Sequence, residues 1–542
     1  MIKGDFSMEQ RIALSAFSGS TDMERIECAM HWLADHPGSE LIIEPGVYTI
    51  TSSLAKETME RVLSGDFGAN PQPVMFSPHF AYSRGMSLAG QKNTRISAYG
   101  ALFLVDGFME PVSVIDCENV ELCGLTIDYK RKPYSYGTIT SVKPIERENG
   151  IFLEVEVSFG KDFPLQPQTP CSLRDRFYDP DTDRYLCTPK FDFTVLDSFH
   201  CRMLVKPDSG VRVGMQYYTI HTYHFRPAIL IERAKGIALT DVKIHAQPGM
   251  GIVGNRCEDI LLRRLSVIPS PGQHWSTNTD ATHFTSVKGF LRYEDCHSKA
   301  HGDDFINVHA YYQDIIEILS PCTCIMQEKT PDGTHAQTLD YPDVGDVLEL
   351  VDRNTLLTKD TFTVLSCIPM EEKWCCRVEL DHPLPADTKG LMLADITRLP
   401  RVEISGCRIQ SHCARGILIK SRDVLLEKNY FRHCEGPAIE IAAEAYWSEG
   451  VCPHNVTIRE NRIEQCGVLT KVGGILVISD APHACCQSMY NIVIEDNFID
   501  AQSNEHAVFV RNVDGLTMQR NQILGGKHPI AVSECQNVNI VQ

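Results

Sequence analysis

One short unit recurs from the first hundred residues to the end of this chain. It is an alternating run of apolar and polar residues, a bend often marked by Asn, Asp or Cys, and a second alternating run. Copies stand at residues 119–127 (NVELCGLTI), 236–244 (GIALTDVKI), 259–267 (DILLRRLSV), 401–409 (RVEISGCRI), 423–431 (DVLLEKNYF) and 455–463 (NVTIRENRI), with later ones beginning at Asn491 and Gly515. Period-2 alternation turns one apolar face inward in each half. The residue between the halves must bend the chain, and Asn, Gly and Asp tolerate the left-handed conformation of a corner. Spacings run from 22 residues (Arg401 to Asp423) to 36 (Asn455 to Asn491), the period of a solenoid whose coils carry loops of variable length. Strands stacked coil on coil, with no long helical pattern between them, predict an all-β fold, a right-handed parallel β-helix.

A helical pattern at residues 22–33 (DMERIECAMHWL), with Asp and Glu in its first turn, suits a cap over the open end of the solenoid core. Two stretches break the rhythm, residues 131–222 and 311–396. Their runs at 138–142, 151–157 and 191–195, and at 346–351, 361–365 and 376–380, read as antiparallel strands of two small inserted β-barrels. The expected organisation is therefore cap and first coils (1–130), first insert (131–222), central coils (223–310), second insert (311–396) and C-terminal coils (397–542). Both inserts flank the most carboxylate-rich coils and are expected to wall a cleft.

With 70 acidic against 51 basic residues the formal charge is −19, which argues against nucleic acid or an anionic membrane surface as partner. The 21 cysteines form no Cys-x-x-Cys, so a zinc ribbon is not expected. Residues 1–12 (MIKGDFSMEQRI) hold no apolar stretch long enough for a signal peptide, and so many thiols suit a reducing cytoplasm, with secretion the alternative if a leader has been trimmed.

The densest set of reactive side chains lies between the inserts, at 274–283 (HWSTNTDATH) and 301–309 (HGDDFINVH). Asp280 stands 23 and 24 residues before Asp303 and Asp304, one coil, and stacked coils bring equivalent positions about 4.8 Å apart. Gly302 is expected to allow the bend that turns both Asp303 and Asp304 into one groove. Three crowded carboxyls cannot all stay ionised, and a protonated acid beside an ionised base is what glycoside hydrolysis requires. The same residues are also compatible with coil-corner caps on backbone amides, with a Ca²⁺ site, or with zinc held by the neighbouring histidines.

Asn278-Thr-Asp280 followed by Gly302-Asp-Asp304 is similar to the pattern of polygalacturonase-type β-helix hydrolases. The longer string, Ser276 through Asp280-Ala-Thr-His-Phe284 and then Gly302-Asp-Asp-x-x-Asn-Val-His309, resembles glycoside hydrolase family 110, the α-1,3-galactosidases. That resemblance covers nearly the whole chain. It implies an inverting exo-enzyme acting without cofactor or metal on terminal α-1,3-linked galactose, as in the blood group B epitope. Asp303 would be the general acid, with Asp280 and Asp304 sharing the water as general base. The pectinase pattern departs here: Gly-His-Gly is absent, and residues 415–420 (RGILIK) have the wrong spacing for Arg-x-Lys. A polysaccharide lyase or epimerase on the same fold, and a non-catalytic carbohydrate-binding solenoid, remain as rivals.

For the substrate, His283, His301, Asn307, His309 and Trp275 are expected around the acids. Tyr446, Trp447 and Glu444 lie in a stretch that interrupts the repeat, where an indole stacks on galactose and carboxylates take hydroxyls. His224 and Arg226 lie where the chain re-enters the helix, and Arg415 sits two repeats beyond the acids. The expected partner is a galactose-terminated glycan. A homodimer through a flank of the helix or a barrel is the assembly such a shape suggests.

Overall fold

The computed structural model describes residues 10–541 apart from 69, 78, 166–174, 329–339, 371–374 and 503. The chain winds into a right-handed parallel β-helix with three faces. Each coil places one strand on each face, as in Glu110–Ile115, Glu118–Cys123 and Thr126–Tyr129, and the next coil repeats the order in Ile229–Glu232, Lys235–Thr240 and Lys243–Ile244. Two faces are parallel sheets of thirteen and eleven strands. On the third, Ile229, Ile252, Thr282, Ile306, Ile417 and Ile439 stand in register and point into the core, all wholly buried. Alternate residues of the same strands point outward.

The bend between the first two faces takes a positive φ in coil after coil: Gly124 (74°), Asp241 (57°), Arg264 (49°), Asp295 (53°), Gly406 (67°), Lys428 (57°) and Glu460 (55°). Residue type is less restricted than the sequence pattern suggests. A non-glycine residue costs of order 1–3 kcal/mol in this region unless its surroundings hold it there. Here each bend is tied to the next coil, as where Asp241 N–H donates to Arg263 O (3.0 Å) and Arg264 N–H to Glu294 O (2.8 Å). Arg264 also grips Asp241 with two nitrogens (2.6 and 2.8 Å).

The expected cap is a helix over Asp22–Asp35. Thr21 Oγ1 accepts from Glu24 N–H, and Ile26, Ala29, Met30 and Leu33 are buried. The first insert leaves after Thr126–Tyr129 and returns before Ile229, at the corner between the second and third faces. It is a seven-stranded antiparallel sheet rolled around a core that includes Ile139, Val157, Phe177, Met203 and Tyr217. The second continues from the long strand Ile306–Ser320 and returns at Arg401, between the third face and the first. Its six antiparallel strands close into a barrel around Leu348, Leu350, Phe362, Val364 and Leu393. One insert thus stands on each side of the third face of the central coils. That face is the floor of the cleft.

Candidate active site

Asp280, Asp304 and Arg415 occupy the same place in three successive coils, each two residues before its strand on the third face. Stacking alone brings them together, because adjacent parallel strands lie about 4.8 Å apart. One carboxylate oxygen from each of Asp280, Asp303 and Asp304 lies within 4.8 Å of the other two. Gly302 is needed for a reason other than a bend. A Cβ there would come 2.0 Å from Asn278 O, so the two coils meet backbone to backbone under the acids.

Each acid has its own donor. Asp304 is buried and receives Arg415 Nε (2.9 Å), a terminal Arg415 nitrogen (2.8 Å) and Arg415 backbone N–H (2.8 Å). Asp280 accepts from Asp304 N–H (3.1 Å) and contacts His283 Nδ1 (2.6 Å). Asp303 is the accessible one, and Tyr223 donates its hydroxyl to Asp303 Oδ2. Burial, then the neighbouring Asp303, pushes the Asp280 carboxyl up; burial does the same to Asp304, against the opposing charge of Arg415. Burial works against charge on His283, but the hydrogen bond and charge of Asp280, with Glu449 behind, carry its pKa above the ordinary imidazole value. The spacing of the three acids would suit a cation, yet each carboxylate already has a protein donor.

Outward positions on the floor form a row across four coils, His283, Asn307, Leu418 and Glu440. Beside it lie His309 and Lys420. Lys420 is wholly buried and bridges Glu444 (2.7 Å) and Glu449 (2.5 Å), carboxylates at the two ends of a short excursion that folds back on Ala310 and Tyr311. Glu440 is buried, and burial lifts its pKa to about 7 against the pull of Arg415.

The structure brings Asp280, Asp303, Asp304, His283, Asn307, His309 and Glu444 into this cleft. Other expected positions differ. Trp275 is wholly buried, stacked on Tyr218 and edge-on to Tyr185, and it seals the first insert against the helix instead of facing a sugar. His301 is also wholly buried; its ring stacks on His412, and its Nδ1 lies 2.7 Å from the backbone carbonyl of Asp303, which it supports from beneath. Arg415 turns its Nε and one terminal nitrogen onto Asp304. Arg226 precedes the strand two coils before that of Asp280, and its guanidinium covers the Tyr82 ring (3.9 Å) next to buried Glu110. His224 packs against Phe76 and Tyr223. Tyr446 and Trp447 are exposed at the tip of the excursion that carries Glu444 and Glu449. Tyr223, Glu440 and Glu449 are additions to the expected set. Tyr223 lies where the chain re-enters the helix and Glu449 at the end of the excursion, while Glu440 stands on the floor strand Ile439–Glu444; no spacing marked any of them.

By fold, the chain belongs with the parallel β-helices: a family model described as "Right handed beta helix region" matches residues 397–542. Over nearly its whole length it is also similar to curated proteins. It is 25% identical to alpha-1,3-galactosidase B of Phocaeicola vulgatus over 94% of this chain and 91% of that one. It is 26% identical to alpha-1,3-galactosidase A of Bacteroides thetaiotaomicron over 93% and 89%. Among solved structures it is similar to the Streptococcus pneumoniae surface adhesin PfbA, with 9% identity, 97% and 93% coverage and a TM-score of 0.40. The resemblance to the α-1,3-galactosidases of glycoside hydrolase family 110, read from two short motifs, holds across the chain.

Proposed function

We propose that the chain is an exo-acting glycoside hydrolase that releases terminal α-1,3-linked galactose with inversion, from glycans such as the blood group B epitope. The observation that carries this reading is the convergence of Asp280, Asp303 and Asp304 in one cleft of a chain whose full-length relatives are named alpha-1,3-galactosidases. Asp303, the accessible acid, protonates the leaving oxygen. Asp280 takes a proton from water, and Asp304, clamped by Arg415, orients that water. Water oxygen bonds to the anomeric carbon as the glycosidic C–O bond breaks. Glu440, Glu444 and Asn307 are placed for sugar hydroxyls, and Asn307 Oδ1 is a buried acceptor with no partner among the described residues. A pectinase would need a cation for its substrate's carboxylate, whereas Arg415 and Lys420 are already held by Asp304, Glu444 and Glu449.

A second reading rests on the spacing. Inverting pairs generally leave roughly 6.5–9.5 Å for a water, and retaining pairs about 5–5.5 Å. One oxygen of each carboxyl lies within 4.8 Å of the other two, Asp280 being stacked on the coil that carries Asp303 and Asp304. So close an approach is compatible with retention through a covalent intermediate on one aspartate. Proton NMR during the first minutes of hydrolysis decides: β-galactose appearing first supports inversion, and α-galactose first replaces it with the second reading. The substrates are an aryl α-galactoside, linear α-1,3-galactobiose and the branched B trisaccharide. Binding without turnover of all three would leave a carbohydrate-binding solenoid, and EDTA-sensitive cleavage of a uronate polymer a lyase.

A further inference from the structure

The acids are joined to a chain of two histidines whose hydrogen count is constrained by geometry. His309 Nδ1 lies 2.9 Å from the carbonyl oxygen of Ala310, which can only accept, so Nδ1 carries a hydrogen. His309 is 2% exposed, and burial, with His283 and Lys420 beside it, outweighs the attraction of Glu449 3.8 Å from its Nε2, so a second hydrogen is disfavoured. Burial drives its pKa down to about 3. The neutral ring therefore offers a lone pair at Nε2, and 2.9 Å away stands His283 Nε2. Two lone pairs do not attract, so His283 Nε2 carries a hydrogen. The other nitrogen of His283, Nδ1, is 2.6 Å from Asp280 Oδ2, and a hydrogen bond of that length needs one more proton between them.

We infer that His309 acts as a positioning residue: by directing a lone pair at His283, it makes Asp280 and His283 a unit that retains one shared proton, with His283 an imidazolium beside an ionised Asp280. This rests on the reading of Asp280 as the base. It explains how one member of a three-acid cluster stays anionic while Asp303 keeps the proton meant for the leaving oxygen. The surrounding charges suit it. Asp303 and Asp304 face Asp280, with Arg415 on Asp304; Glu449 lies 3.8 Å from His309 and is held by Lys420, which also holds Glu444; the Tyr311 ring packs edge-on to His309 at 4.8 Å.

Two measurements test this on the full chain. In ¹⁵N-histidine-labelled protein, the signal that disappears in His283→Gln should show both ring nitrogens protonated at pH 7. The signal that disappears in His309→Gln should show only Nδ1 protonated. The reverse assignment, a doubly protonated His309 or a singly protonated His283, overturns the inference. This readout needs no turnover, so an inactive wild-type chain would defeat the galactosidase reading and leave this one standing or falling separately. With an aryl α-galactoside, His309→Leu removes the lone pair, and the acidic limb of kcat/KM should move up by about one pH unit. His309→Gln, whose amide oxygen still accepts from His283, should return the limb towards its wild-type place. If the limb stays put in a folded His309→Leu protein, His309 is structural only. If that variant does not fold, the NMR assignment in the wild type decides.

Discussion

Three aspartates of one residue type are given different tasks by the side chains touching them. Asp304 is buried against Arg415, whose charge opposes the upward push of burial on its carboxyl, and in the proposed mechanism it orients the water. Asp280 has a histidine partner. Asp303 alone is accessible, with a tyrosine hydroxyl on one oxygen. Asp303→Asn should therefore lower kcat on α-1,3-galactobiose by 10²–10⁴-fold, because an amide cannot protonate the leaving oxygen. Galactose binding by calorimetry and the melting temperature should stay near wild type. An aryl substrate with a good leaving group should recover part of the loss. Activity on the disaccharide within tenfold of wild type would remove Asp303 from the role of acid. The acids were legible in sequence because two motifs one coil apart carried them. Tyr223 was not, since it approaches Asp303 from 80 residues away along the chain.

At the scale of elements, the solenoid is held by more than its apolar core. Asn429, Asn461 and Asn497 follow the left-handed bend in successive coils, and Asn521 continues the series. Asn461 Oδ1 accepts from the backbone and side-chain nitrogens of Asn429 (both 3.0 Å), and its own amide donates to Leu426 O (2.9 Å) and Asn497 Oδ1 (3.0 Å). Asn461→Ala would strand Asn429 N–H and Leu426 C=O in a buried turn, at a cost of about 2–3 kcal/mol. Urea unfolding should show that loss, and Asn461→Asp should not recover it, because a buried carboxylate would turn acceptors onto Leu426 O and Asn497 Oδ1. A loss below 0.5 kcal/mol would mean the ladder is ornamental. The bend between the two halves of each unit was expected to favour Asn, Gly or Asp, yet Arg264, Lys428 and Glu460 adopt it, because hydrogen bonds between coils enforce the conformation.

The whole molecule depends on how the second barrel is fixed to the helix. Asp340, Asp343, Asp346 and Asp395 of the insert meet Arg256 and Lys288 of the coils and Arg398 at the return. Burial, then the charges of Asp346 and Asp340, raises the Asp395 pKa to about 8. An acid whose folded pKa exceeds its unfolded value holds a proton that unfolding releases, so its contribution is full at low pH and fades as pH rises from roughly 4 to about 8. Compared with Asp395→Asn, the wild type should lose more stability across that window, by no more than ~1.4 kcal/mol per pH unit. Parallel melting curves at pH 5, 6.5 and 8 measure the difference; identical slopes would show that Asp395 does not titrate there. The thiols bear on the whole molecule as well. Most of the described cysteines are buried, and no disulfide joins any two of them. If the chain works in a reducing compartment, thiol titration in denaturant without reductant should find nearly all 21 free. Several intact disulfides would point to secretion.

What the sequence determined by itself is whatever follows from local pattern. Alternation with a bend, repeated every 22 to 36 residues outside the inserts, specifies a β-helix, because each coil can bury its apolar face only on another coil. The same period superposes Asp280 on the Asp303–Asp304 coil, so the three acids were visible before any tertiary structure. What only the tertiary structure decided is which partner each group meets. Whether Trp275 and His301 face the cleft or support it, and whether Lys420 finds Glu444 and Glu449, depend on where inserts and excursions return to the helix. Those contacts join residues far apart in sequence, and no periodicity encodes them.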